Sequence, residues 1–199
     1  LCRHFGIQNP AILFAQIVDA YSQSHRAYHN CQHIIYCLQI LDRVRDLGDY
    51  IEEVEMALWF HDAIYEPQAT DNEELSAAWA KSIFEDSDTP LAIADRVAEL
   101  ILATKHQVKP STPDAHILVD IDLAILGAKP EIFDTYDRQI RQEYIWVEEE
   151  SYRAGRMQVL RGFLERDFIF HTPYFRQRYE QTARVNLDRA IARLKLMGS

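Results

Sequence analysis

Apolar residues return every three or four positions along almost the whole of this chain, a rhythm that leaves room for little besides helices. Between Ala11 and Tyr21, the residues Ile12, Leu13, Ile17 and Val18 keep that spacing behind Pro10, which suits a first helical turn. A longer run from about Arg26 to Arg45 carries Ile34, Cys37, Leu38 and Leu41, and Gly48 supplies its stop. Tyr50 to His61 follows, with Val54, Ala57, Leu58, Trp59 and Phe60, and leads into a loop containing Pro67. Asp71 or Asn72 is expected to cap the next helix, with Glu73 and Glu74 in its first turn and Leu75, Ala78, Trp79 and Ile83 along it. Another helix should run from Pro90 to Lys105 or His106, before the break at Lys109-Pro110-Ser111-Thr112-Pro113. A short segment from Leu118 to Leu126 contains Val119-Asp120-Ile121-Asp122-Leu123, which alternates like a strand. No neighbouring run offers it a sheet partner, so helix is the better reading. Long helices over Ile132 to Glu149, Tyr152 to Phe168 and Pro173 to Leu196 complete an all-α, multi-helix bundle with a C-terminal helical packing layer.

At 199 residues the chain can bury a sizeable core without staples, and one domain over 1–199 is expected, with 130–199 as a C-terminal elaboration. The formal net charge of -10 speaks against a duplex nucleic-acid partner, which calls for a basic footprint, and leaves a small phosphorylated ligand open. Cys2, Cys31 and Cys37 are odd in number and lack Cys-x-x-Cys spacing. They read as free thiols in a reducing compartment, Cys31 and Cys37 as small core or near-core residues. No run has the 18 or more apolar residues of a transmembrane helix and no stretch reads as a signal peptide, so no membrane association and a cytoplasmic location are expected.

Against this background a few polar residues stand out. His29 and His33 are four apart, so one helical face can present both. His61 and Asp62 adjoin at the end of an apolar segment, and Asp122 sits in another, where an uncompensated carboxylate is expensive to bury. A cation gives these groups a common reason to lie inside. Taken singly, His33 reads more readily as a hydrogen-bonded or surface histidine than as a ligand, and Asp122 alone could be a helix cap or ion-pair partner.

The order His33, then His61-Asp62, then Asp122 resembles the signature of the HD-domain metal-dependent phosphohydrolase superfamily. Arg26-Ala27-Tyr28-His29-Asn30-Cys31-Gln32-His33-Ile34 and Ala57-Leu58-Trp59-Phe60-His61-Asp62-Ala63-Ile64-Tyr65 resemble the opening and central motifs of its bacterial branch of roughly 200-residue predicted phosphohydrolases. The likeness continues through Asp71-Asn72-Glu73-Glu74-Leu75-Ser76-Ala77, Ile101-Leu102-Ala103-Thr104-Lys105, Asp120 to Gly127 and Ile140 to Tyr144. It ends in a tail containing Phe170, Thr172, Phe175, Glu180, Ala183-Arg184 and Asn186-Leu187. This resemblance implies an HD-domain-like bundle in which His33, His61, Asp62 and Asp122 bind metal. Asp120 is the rival of Asp122, which is favoured because Asp122-Leu123 better resembles the family's aspartate and its apolar successor.

Two imidazoles and two carboxylates suit a divalent ion, with Mn, Fe, Co, Ni, Mg or Zn all compatible. The expected activity is hydrolysis of a phosphate monoester or phosphodiester, with a small nucleotide-like substrate; the alternative is a non-catalytic, metal-containing ligand sensor or binding protein. Asp62 together with Glu73 or Glu74 is assigned to water activation and proton transfer. Arg26, His29, Lys105 and His106 are assigned to the substrate, Arg26 as a forked phosphate clamp placed on the same helix as His33. Glu143 and Tyr144 read as pocket support or as an interhelical or surface pair. Trp59, Phe60, Trp79 and the Phe163/Phe168/Phe170/Phe175 cluster read as packing, with Arg176, Arg178, Arg184, Arg189 and Arg193 balanced by Glu180 and Asp188. An exposed apolar helix face could support a homodimer.

Overall fold

The protein is all-helical, as its apolar rhythm requires, and no strand occurs among the described residues. The structure, a computed structural model, describes residues 1–85, 87, 89–106 and 109–196. It divides into two compact units, Leu1–Ile121 and Asp122–Ser199.

The first unit contains α1 (Pro10–Tyr21), α2 (Cys31–Leu41), α3 (Ile51–Phe60), α4 (Asn72–Glu85), α5 (Leu91–Ala103) and most of α6 (Pro113–Leu123). Val54, Met56, Ala57, Leu58 and Phe60 are all buried, so α3 is apolar on nearly every side and packs on α2, α4 and α5. Its one buried acid, Glu53, receives a two-pronged pair of bonds from Arg96 of α5, at 2.8 and 2.6 Å. The start of α3 is held from a distance: the Asp114 carboxylate accepts from the backbone N–H groups of Asp49 and Tyr50, at 2.8 and 3.1 Å. Phe14 meets Trp59 and Phe60 meets Trp79 edge to face, so the tryptophans pack as their setting suggested.

Three expectations for this unit need correction. α2 begins at Cys31 rather than Arg26, because Asn30 takes an extended backbone and its Oδ1 accepts from the Gln32 N–H at 2.8 Å, a cap that sets the helix start. His29 and Arg26 therefore precede the helix that carries His33. α4 starts where expected, at Asn72 directly after Asp71, whose carbonyl accepts from the Leu75 N–H. Of the two expected caps Asn72 is otherwise engaged, its side-chain amide exchanging two hydrogen bonds with the Glu66 backbone. The buried face of α4 is Ser76, Ala77, Ala80 and Phe84, while Leu75 and Ala78 point outward. The alternating Val119–Leu123 stretch is helical, inside an α6 that starts at Pro113, five residues before Leu118.

The second unit contains a 3-10 turn at Ala124–Gly127, α7 (Pro130–Glu143), α8 (Glu149–Leu164), the single turn α9 (Pro173–Phe175), a π turn at Arg176–Glu180 and α10 (Gln181–Leu196). α7 stops at Glu143, short of Glu149. The acidic run there starts a helix instead of ending one, with Glu148 Oε2 accepting from the Glu150 and Ser151 N–H groups. α8 ends at Leu164 rather than Phe168. Arg184 of α10 donates to the carbonyls of Leu164, Arg166 and Asp167 beyond its last turn. α10 packs on α7 and α8. Its arginines find their counter-charges largely on α7, Arg189 and Arg193 at Asp134 and Arg193 again at Asp137, while Arg184 meets Glu180, one of the two acids expected to balance them. Phe170, Phe175 and Tyr179 stack as a ring cluster, and Phe168 is half exposed beneath the Arg176 guanidinium.

No helix among the described residues is long and apolar enough to cross a membrane.

Candidate metal centre

His33 lies in the first turn of α2 and His61 directly follows the last residue of α3, so two packed helices deliver two imidazoles to one place. Both are buried, at 3% and 1% exposure. Their Nε2 atoms stand 3.0 Å apart, and Asp62 Oδ2 lies 3.4 Å from His33 Nε2 and 3.0 Å from His61 Nε2. These three residues form one of the groups whose donor atoms converge in the manner of a metal-binding site.

Protonation makes the cluster more telling. His61 Nδ1 is 2.9 Å from the Leu58 carbonyl, which can only accept, so the proton sits on Nδ1 and the Nε2 lone pair faces the cluster. Burial presses the Asp62 carboxyl towards its neutral form. With the imidazoles protonated, the charges of His61 and His29 and hydrogen bonds from His33 and His61 outweigh that and hold its pKa well below the ordinary carboxylate range; with the rings neutral, the counter-charge has to come from elsewhere. An ionised carboxylate oxygen and an imidazole lone pair at 3.0 Å repel unless something positive lies between them. A proton on His33 Nε2 could relieve one pair of contacts; a divalent cation satisfies all three atoms together. Bonds of about 2.1 Å to a common ion place neighbouring donors roughly 3.0–3.4 Å apart, the separations found here. The donor set therefore fits a divalent metal, of unresolved identity.

Surrounding groups hold the ligands in place. The Asp62 N–H donates to Tyr21 Oη at 3.1 Å, and Tyr21 is 1% exposed. Burial and then the neighbouring Asp62 push the Tyr21 phenol well above its usual pKa, so it stays neutral. Cys37, one turn after His33 on α2, lies 3.8 Å from both nitrogens of that ring and is fully buried, whereas Cys2 and Cys31 are half-buried; all three are free thiols. Its nearness to the cluster escaped notice in the sequence, although its spacing of four from His33 was the signal.

The other candidates are distributed unevenly. His29 is half-buried before α2, with its ring 5.9 Å from His33 and 4.2 Å from Tyr65. Arg26 is not displayed on the helix of His33. It is 5% exposed and donates to Gln23 Oε1 and to the carbonyls of His29, Asp62 and Ala63, so its fork grips backbone where a phosphate clamp was expected. Lys105 donates to the Thr70 carbonyl and to Glu74, which brings two candidates together at the head of α4. That bond to Lys105 holds the Glu74 carboxyl below its usual pKa. Glu73 is half-buried in the same turn, and His106 takes a left-handed backbone, φ 55, just beyond α5. In α6, Asp120 is fully buried and Asp122, the first residue of the second unit, is half-buried. Glu143 is 3% exposed in the second unit, and Tyr144 rings with Trp146 and Tyr152.

Set against known proteins, the chain matches no family model, no curated protein and no solved structure. Fold and site thus define the class by themselves: an all-helical protein with a buried histidine–aspartate cluster able to hold a divalent metal ion.

Proposed function

We propose that this protein is a metal-dependent phosphohydrolase acting on a phosphate monoester or phosphodiester of a small nucleotide-like molecule. The observation that carries the reading is the convergence of His33 Nε2, His61 Nε2 and Asp62 Oδ2 within 3.0–3.4 Å, in the order and residue types of the HD-domain signature they resemble. His33, His61 and Asp62 would hold the cation, with Asp122 proposed from that resemblance as a fourth ligand. The bound cation supplies a water of lowered pKa and polarises a phosphoryl oxygen.

The remaining roles belong to the chain. Glu73 or Glu74, which share the first turn of α4, is proposed to orient water or accept its proton, although the Lys105 pairing that keeps Glu74 ionised also makes it the weaker base. His29, whose ring lies 5.9 Å from that of His33, is proposed to meet a phosphoryl oxygen, and Lys105 and His106 are proposed to contact the leaving portion. A chain of net charge -10 gives an anionic substrate little general attraction, so local positive charge has to do the recruiting.

Phosphate release from a panel of phosphorylated nucleotides and phosphodiesters, assayed with Mn2+, Co2+, Ni2+, Mg2+ and Zn2+, tests this. Metal-dependent turnover that is abolished by His61→Ala and by Asp62→Ala is expected, and Asp122→Asn should weaken it if the fourth ligand is correctly chosen. Tight nucleotide binding without turnover across the panel would overturn the hydrolase reading in favour of a metal-containing ligand sensor.

A further inference from the structure

We propose that Tyr21 and Arg26 are positioning residues which mould the His61–Asp62 turn into its ligand-holding shape. The inference rests on His33, His61 and Asp62 being a metal centre, and adds a function for residues on neither ligand helix.

At the end of a helix the last carbonyls have no intrahelical partner, and His61 and Asp62 sit there, with the His61 N–H still reaching back to the Ala57 carbonyl at 2.8 Å. Both backbone polar groups of Asp62 are taken up by the segment that ends α1. The N–H donates to Tyr21 Oη at 3.1 Å, and the carbonyl accepts from Arg26 Nη1 at 2.6 Å. Arg26 Nη2 donates to the next carbonyl, that of Ala63, at 3.0 Å. The same guanidinium reaches the other ligand segment, since Nη1 also donates to the His29 carbonyl at 3.0 Å. His29 immediately precedes Asn30, the cap from which α2 and His33 follow. One planar group thus sets the spacing between the two stretches of chain that bear the ligands.

Its own freedom is small. Arg26 is 5% exposed, its Nε donates to Gln23 Oε1, and its Cζ lies 5.0 Å from the Tyr21 ring centre and 5.4 Å from that of Tyr65. Lysine would keep the charge while losing the fork, because a single ammonium cannot reach three carbonyls with fixed relative directions.

The test is calorimetric titration of the chelator-treated full chain with Mn2+ and with Co2+, alongside the thermal midpoint of each metal-free protein. Wild type is compared with Arg26→Lys and Tyr21→Phe. Both variants should retain helical circular dichroism and bind the metals about 10–100-fold more weakly, the range typical for residues that orient ligands. Variants that bind like wild type overturn the proposal, even if their metal-free midpoints fall, since that pattern marks a purely structural role. Should Arg26→Lys fail to fold, Tyr21→Phe, which removes one hydroxyl, decides alone by the same criterion. If wild type binds neither ion, the metal-centre reading fails and takes this proposal with it, an outcome distinct from variants that match a metal-binding wild type.

Discussion

A methyl group on Gly127 would lie 2.6 Å from Tyr179 Cβ and 2.7 Å from the Tyr179 carbonyl oxygen. The backbone of the π turn occupies that space, so little can move aside. Gly127→Ala should therefore destabilise the protein by about 1–3 kcal/mol, as overpacking does, read as a lower urea midpoint. Close by, the fully buried Asn186 donates through Nδ2 to the carbonyls of Leu126 and Ala128, both at 2.9 Å. Asn186→Ala leaves those acceptors without this donor and should cost about 1–3 kcal/mol in the same measurement. Among the candidate ligands, His33, His61 and Asp62 were legible because residue type and order mark them. The rule that joins positions four apart links His33 to Cys37, inside α2, and not to His29, which lies ahead of the cap. Arg26 could not be read correctly from its chemistry alone: the same fork that suits a phosphate suits three backbone carbonyls, and only the folded loop decides which it meets.

The existence of each long helix follows from apolar spacing, but its ends follow from caps, and several of those come from far along the chain. Asp114 governs the start of α3 and Arg184 serves the end of α8, contacts that no local pattern announces. Asn30 and Glu148 cap locally and could have been recognised, Asn30 as a favoured cap and Glu148 as the first of three acids. Asn30→Ala should lower stability by about 0.5–2 kcal/mol in thermal unfolding, and it should also weaken metal binding, because the first turn it caps presents His33. Between α7 and α10 the tie is electrostatic. Partial burial raises the Asp134 carboxyl's pKa, but hydrogen bonds from Arg193 and Arg189 outweigh this and hold it below the usual value. Since the folded pKa is depressed, the stabilisation is fully present above the unfolded value of about 3.9 and is lost as pH falls through the lower folded one. Asp134→Asn should thus destabilise the protein at neutral pH by about 1 kcal/mol or less, given the half-exposed arginines, read as a lower urea midpoint, and its difference from wild type should vanish in acid.

For the molecule as a whole, the cluster is where positive charge has to be supplied: two buried imidazoles and one carboxylate meet there, and a bound cation would bring the positive charge that they lack. Binding there must also stabilise the fold, because an unfolded chain holds no such arrangement. At a free metal concentration 100 times the dissociation constant, wild type should gain about 2.7 kcal/mol, seen as a raised melting temperature, while His61→Ala should gain almost nothing. The most direct measurement is anomalous diffraction from crystals equilibrated with Mn2+. A single peak is predicted, bonded at about 2.0–2.2 Å to His33 Nε2, His61 Nε2 and the Asp62 carboxylate. Crystals with no peak there, and with the two histidine nitrogens still 3.0 Å apart as a hydrogen-bonded pair, would contradict it.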